Sequence, residues 1–195
     1  MPVKQGTSLV YTQPVYDSVI IPIDAVGGVA VGQFFAIPFG GLIAAAVPKT
    51  WRHTNLVQAG RMERGNEIQI DSLSMYFPRT AQAGAFPTMA DMDAIRAGAM
   101  RLRFGGDTDF LKVPIATMPN AGMGVTYSTD AALAAEANFE FNNGVPVVQN
   151  RFMLAQPIVL QEQETISVVF EDMDIIAAAT EVQFFLWGTN VRPVR

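Results

Sequence analysis

Cysteine is absent from this sequence of 195 residues, and His53 is its only histidine. The first absence removes disulfides, thiolate metal sites and cysteine nucleophiles together, and leaves the redox compartment open. The second removes the multi-histidine sites that iron and zinc prefer. His53 lies in WRHTNL, with no G-x-S-x-G elbow elsewhere to complete a hydrolytic triad, so a structural role is expected for it. Charge is scarce as well: 16% of the residues are charged and 50% are hydrophobic, where an ordinary soluble domain carries about 25% charged residues. Such a shortage fits a surface partly covered by neighbouring subunits, which favours a homo-oligomer. The net charge of −5 and the scattered arginines provide no basic stripe, which argues against specific nucleic-acid binding. There is no Asn-x-Ser/Thr sequon, no phosphate-binding glycine loop, no H-E-x-x-H pair and no EF-hand loop. Asp17 and Asp24 bracket the first apolar stretch and Lys4 is the only base before them, so no signal peptide is read and the mature chain is expected to start near Met1.

What is present begins with a run of 24 residues without charge, Ala25 to Pro48, AVGGVAVGQFFAIPFGGLIAAAVP. Roughly 20 apolar residues suffice to cross a bilayer. Gly27, Gly28, Gly32, Gly40, Gly41 and Pro38 weaken it as a helix, because glycine costs a helix interior about 1 kcal/mol and proline about 3. The run therefore reads as an early strand plus an apolar arm, extended over Val26 to Val31 and Phe34 to Ile37. Phe34, Phe35, Phe39, Leu42 and Ile43 are its candidate assembly or membrane-facing residues.

Downstream the dominant period is two. Ile68 and Ile70 alternate with polar neighbours, and Leu73, Met75 and Phe77 continue on a shifted phase, which predicts a strand with a bulge near Ser72. Met100, Leu102 and Phe104 form the next strand, and Gly105 and Gly106 turn it into Asp109 to Pro114. A second hairpin is expected from Phe139 and Phe141 through Asn143-Gly144 to Val145–Val148, with Pro146 marking an edge. Arg151 to Leu160 and Thr165 to Phe170 read as adjacent strands joined by a polar turn. Glu181 to Trp187, stopped by Gly188, is the last strand, before a short Arg192-Pro193 tail.

Helices are few: one capped by Thr88 with Asp91 at its third position and Gly98 closing it, another over Asp130 to Ala137. About eight to ten strands on one chain of this size predict an all-β fold, an antiparallel β-sandwich with short helical insertions. Residues 1–50 are expected to supply an arm and the first strands of the same domain, and residues 51–195 the sandwich.

Three D-x-D pairs, Asp91 with Asp93, Asp107 with Asp109, and Asp172 with Asp174 beside Glu171, supply hard oxygens that calcium favours. Calcium takes six to eight oxygens, so helix-capping and solvated-turn roles are preferred, and no metal or cofactor is assigned. The aromatics Trp51, Trp187, Tyr11, Tyr16, Tyr76 and Tyr127 are dispersed, and core packing is the expected use of most.

Four segments together carry a resemblance: TNLVQAGRMERGNEIQIDSLSMYF (Thr54 to Phe77), RLRFGGDTDFLKVPIATMPNAGM (Arg101 to Met123), RFMLAQPIVLQEQETISVVF (Arg151 to Phe170) and FFLWGTNVRPVR (Phe184 to Arg195). They resemble the small jelly-roll major capsid proteins of tailless icosahedral bacteriophages, over most of the chain from Thr54 onward. The resemblance implies a single jelly roll and a non-enzymatic subunit that self-assembles into an icosahedral shell. It also implies a place in the virion after assembly in the host cytoplasm, with copies of itself and other capsid proteins as partners. An internal lipid membrane beneath the shell is a secondary expectation, and no small-molecule substrate is expected. The alternative is a carbohydrate-binding β-sandwich module of a phage receptor-binding or adhesion protein. Its mark would be exposed Trp or Tyr on one face with Asp and Asn nearby.

Overall fold

The period-two pattern builds two antiparallel sheets with a shared core. A computed structural model describes residues 8–44, 47–78, 88–105, 109–119, 124–127, 139–142 and 151–193. The first sheet is organised on the longest strand, β13 (Thr180–Pro193). One edge of β13 pairs with β6 (Glu67–Tyr76), which in turn pairs with β11 (Phe152–Leu160). Its other edge is shared by β2 (Val15–Ile21), opposite Thr180 to Leu186, and β1 (Ser8–Thr12), opposite Thr189 to Pro193. The second sheet runs in the order β3 (Gly32–Phe34), β12 (Ile166–Glu171), β7 (Ala99–Phe104) and β8 (Asp109–Pro114). Two small hairpins stand apart: β4 (Leu42–Ala44) with β5 (Val47–Pro48), and β9 (Gly124–Tyr127) with β10 (Phe139–Asn142).

The sheets meet through their inward side chains. Phe34 and Phe170 of one sheet surround Phe184 of the other, with ring centroids 4.8, 5.7 and 6.0 Å apart, and all three are fully buried. Each such ring contributes about 1.5–3 kcal/mol on burial. Ile68, Ile70, Leu73, Met75, Met100, Leu102 and Val168 complete the centre of the core. The result is an antiparallel β-sandwich, as the sequence predicts.

The phase shift in β6 is a bulge. Trp187 pairs with Ser72 and the next residue, Gly188, pairs with Ile70, so Asp71 is the extra residue. Gly188 does not stop the last strand as expected. It lets β13 pass the bulge, because a Cβ there would lie 2.0 Å from the Gln69 carbonyl oxygen. The β7–β8 hairpin falls at the expected residues, and so does helix α1 (Met89–Arg96). Thr88 caps α1, its Oγ1 accepting the Asp91 N–H at 3.1 Å, a device whose loss costs about 1 kcal/mol. The strand over Phe139 and Phe141 is present as β10, whereas the Asn143-Gly144 turn, Val145–Val148 and the helix over Asp130 to Ala137 lie outside the described residues.

Three expectations are corrected. Arg151–Leu160 and Thr165–Phe170 are not paired: β11 joins β6 in the first sheet and β12 joins β7 and β3 in the second. Alternation fixes which face a strand buries but not which strand it bonds. Val26 to Val31 is not extended; it is a loop wound around the Asp24 carboxylate. Phe34 to Ile37 is extended only to Phe34, because Phe35 adopts φ 67°, which turns the chain and returns its ring to the interior. Phe34 and Phe35, exposed by 0% and 1%, are thus core residues rather than assembly or membrane-facing ones. No helix among the described residues is long and apolar enough to cross a membrane.

Candidate functional site

The uncharged run supplies loops at two places, and each is anchored by an aspartate. The first is the excursion between β3 and β6. Phe39 N–H donates to the Leu56 carbonyl at 2.8 Å, and Gly40 and Lys49 close a ladder through Gly40 N–H to Lys49 O (2.9 Å) and Lys49 N–H to Gly41 O (2.6 Å). This brings Phe39 onto Trp51, stacked with centroids 4.3 Å apart and planes at 26°. Both rings remain at the surface, 40% and 57% exposed, beside Leu42 at 55%, while Ile43 is half-buried. Of the five residues singled out in sequence, the surface therefore keeps Phe39 and Leu42 in full and Ile43 in part.

Beneath this ridge is a polar cluster closed to solvent. Lys49 Nζ lies 2.6 Å from Asp17 Oδ1 with both side chains buried, and Asp17 Oδ2 accepts the Phe35 N–H at 2.5 Å. Burial pushes the Asp17 carboxyl up from its ordinary value against the opposing pull of Lys49, and burial pushes the Lys49 ammonium down against the pull of Asp17 and Glu181. In both partners desolvation outweighs attraction, the usual balance for an ion pair taken out of water. His53 lies alongside. Its Nδ1 accepts the Thr50 N–H at 3.0 Å, which leaves the proton of the neutral ring on Nε2, 4.0 Å from Glu181 Oε1. Burial, then the charges of Arg52 and Lys49, lower its affinity for a second proton. The group of Asp17, Lys49, His53 and Glu181 ties the excursion to β2 and β13, and none of the four lines the cavity that opens next to Trp51.

Next to Trp51 a cavity of about 440 Å³ opens between β1, β2, residues 51–57 and the turn at 62–66. Tyr11, Tyr16 and Trp51 supply its rings and Gln13, Asn55, Asn66 and Asn190 its amides. Tyr16 hydroxyl donates to the Trp51 carbonyl, and burial raises the phenol from its ordinary value. Tyr11 and Asn190 are direct partners across β1 and β13 and so share a face.

The second loop joins β2 to β3. Asp24 Oδ1 accepts N–H bonds from Val26 (3.1 Å) and Gly27 (2.9 Å), and Oδ2 from Val29 and Ala30 (2.8 Å each). These bonds, those from Ala30 and Val29 foremost, hold the carboxyl down to about 2. Gly27 and Gly28 take φ of 82° and 76°, and Asp24 and Ile176 exchange backbone bonds of 3.0 and 2.8 Å. The loop is thereby fixed with Ile23, Val26, Val29, Val31 and Ile175 exposed by 54–80%.

No family model matches the chain, and no curated protein matches it.

The remaining residues noted in sequence take structural partners. Trp187 donates from Nε1 to Ser74 Oγ at 2.7 Å, stacks on Phe185 and lies 3.8 Å from the Arg151 guanidinium. Asp91 is buried at the start of α1 and its Oδ1 accepts from Ala177 N–H at 2.7 Å. Asp109 meets Arg103 Nε at 2.5 Å and Glu171 meets Arg101, and Asp107 lies outside the described residues. Among the described residues no three histidine, aspartate or glutamate side chains are grouped as metal ligands. The sequence reading did not find the Asp17–Lys49 pair, nor β1 and β2, although VYDSVII carries a legible strand signal at β2.

Proposed function

We propose that this chain is a capsid subunit, a single jelly roll that assembles with copies of itself and other shell proteins into an icosahedral shell. The observation that carries the reading is the strand order. Counting only the eight strands β2, β3, β6, β7, β8, β11, β12 and β13, the first lies beside the last, then the third and the sixth, while the second lies beside the seventh, then the fourth and the fifth. This order supports the jelly-roll reading, because in that fold successive strands cross between sheets except for one hairpin, the place that β7–β8 would take. Fold alone does not assign function. The further support is chemical: both anchored loops hold aliphatic and aromatic side chains outward on rigid backbone, an arrangement suited to contacts between subunits.

Light scattering with negative-stain microscopy of the purified protein tests this. Closed particles, or defined oligomers that Val26→Asp with Val29→Asp disperses, are expected. A strictly monomeric species over a wide range of concentration and salt overturns the reading. A membrane beneath the shell would be met by Phe39, Leu42 and Ile43, so flotation with neutral liposomes should weaken in Phe39→Ser with Leu42→Ser; equal flotation of variant and parent removes the lipid role.

A further inference from the structure

We infer that the cavity beside Trp51 binds a neutral saccharide unit, held between the aromatic rings of Tyr11, Tyr16 and Trp51 and the side-chain amides of Asn66 and Asn190. The inference goes beyond shell assembly and does not depend on it. At about 440 Å³ the space lies within the roughly 300–1,000 Å³ of small-molecule sites, toward the small end, which suits a mono- or disaccharide.

The chemistry of the lining selects the class. The amides are already oriented by the fold: Asn190 Nδ2 donates to Gln13 O at 2.5 Å, Asn66 Nδ2 to Glu63 Oε2 at 3.2 Å, and Asn55 is spanned by Tyr16 N–H (3.0 Å) and Pro14 O (2.7 Å). Each of Asn66 and Asn190 retains a second N–H and a carbonyl oxygen, which together match a hydroxyl that donates and accepts at once. Glu63 and Arg192 add one charge of each sign, so the site has no excess of either. A phosphate or nucleotide would meet a carboxylate with a single guanidinium, and an apolar ligand would bury the amides unpaired, at a desolvation cost for each. Sugars present both an apolar C–H face for the rings and hydroxyls for the amides. Trp51 is suited to the first task because its indole is 57% exposed and braced by Phe39. Trp187 is not, being held by Ser74, Phe185 and Arg151.

Titration calorimetry of the full chain, with N-acetylglucosamine, diacetylchitobiose, maltose and lactose as probes and inorganic phosphate as control, tests the inference. Saturable binding of at least one sugar is expected. It should weaken at least about tenfold in Trp51→Ala and several-fold in Asn66→Ala, while Trp187→Phe leaves it unchanged. Asn66→Ala carries the test if the loss of the Phe39 stack unsettles Trp51→Ala. No saturable heat with any of the four sugars, equal binding by parent and both cavity variants, or preferential binding of phosphate overturns it. A monomer that binds sugar would remove the shell and keep this site; a shell that binds none would do the reverse.

Discussion

Asp24 and Asp17 do the same task in opposite ways. Each holds an apolar loop of the uncharged run, yet the partners of Asp24 are backbone N–H groups two to six residues ahead, while Asp17 takes the Phe35 N–H and the Lys49 ammonium from 18 and 32 residues away. The local anchor lowers the carboxyl's proton affinity, and the distant one leaves it raised because the carboxyl's own burial outweighs the pull of Lys49. A carboxylate met by several N–H dipoles is stabilised where it stands; an ion pair in the interior must first lose its water. The first device shapes one loop, and the second fastens a loop to a sheet.

The contrast can be broken at its strongest point by Lys49→Ala, which strands Asp17 in the core and should cost about 3–5 kcal/mol in urea unfolding. Asp17→Leu with Lys49→Met should recover only part of that loss, since it removes the stranded charge but leaves the buried Phe35 N–H without its acceptor. Asp24→Ala should cost less, because the freed N–H groups of Val26, Gly27 and Val29 lie on an exposed loop and can turn to water, leaving only that of Ala30 buried. Hydrogen exchange at those amides should accelerate while exchange in β13 stays slow.

Acid sharpens the comparison further. The folded Asp24 carboxyl is held down to about 2, below the ordinary value of an aspartate, so the unfolded chain takes up the proton first. Its stabilisation is complete above about 4 and is lost as pH falls toward 2, and the difference between the parent and Asp24→Asn should close over that interval. Asp17 has the opposite sign: its folded pKa is raised, so the cost of its ionisation is present above that pKa and is relieved as pH falls through it. The stability difference between Asp17→Asn and the parent should therefore drift in the direction opposite to that of Asp24→Asn. The smallest effect expected is that of Phe39→Ala, which removes a partly exposed aromatic pair and should shift stability by only about 0.5 kcal/mol.

The same distinction between local and distant causes marks what could be read in sequence. The β6 bulge, the β7–β8 hairpin and the Thr88 cap depend on neighbours along the chain, and all are legible there. The loop at 25–31 was open to reading too, since an aspartate before Gly27-Gly28 signals a side chain competing for backbone N–H groups. Its valines and its lack of charge gave it the look of a strand instead. Nothing local announces that Phe35 turns inward, because its conformation depends on an acceptor at Asp17, nor that β11 and β12 part company across the sandwich. The cavity is the extreme case: Tyr11, Trp51 and Asn190 meet only once β1 lies against β13.

That pairing has a consequence in time. Ser8 bonds opposite Pro193 and Val15 opposite Leu186, so β1 and β2 have no sheet to join until β13 has been synthesised. At roughly 5–20 residues per second the first strands wait on the order of ten to thirty seconds on the ribosome with their edges unmatched. The chain must spend that interval either shielded or in transient pairings, and closure by its longest strand is expected to be a slow event dominated by sequence separation. A chain whose first strands are locked in by β13 has a built-in delay before its exposed loops are held in place.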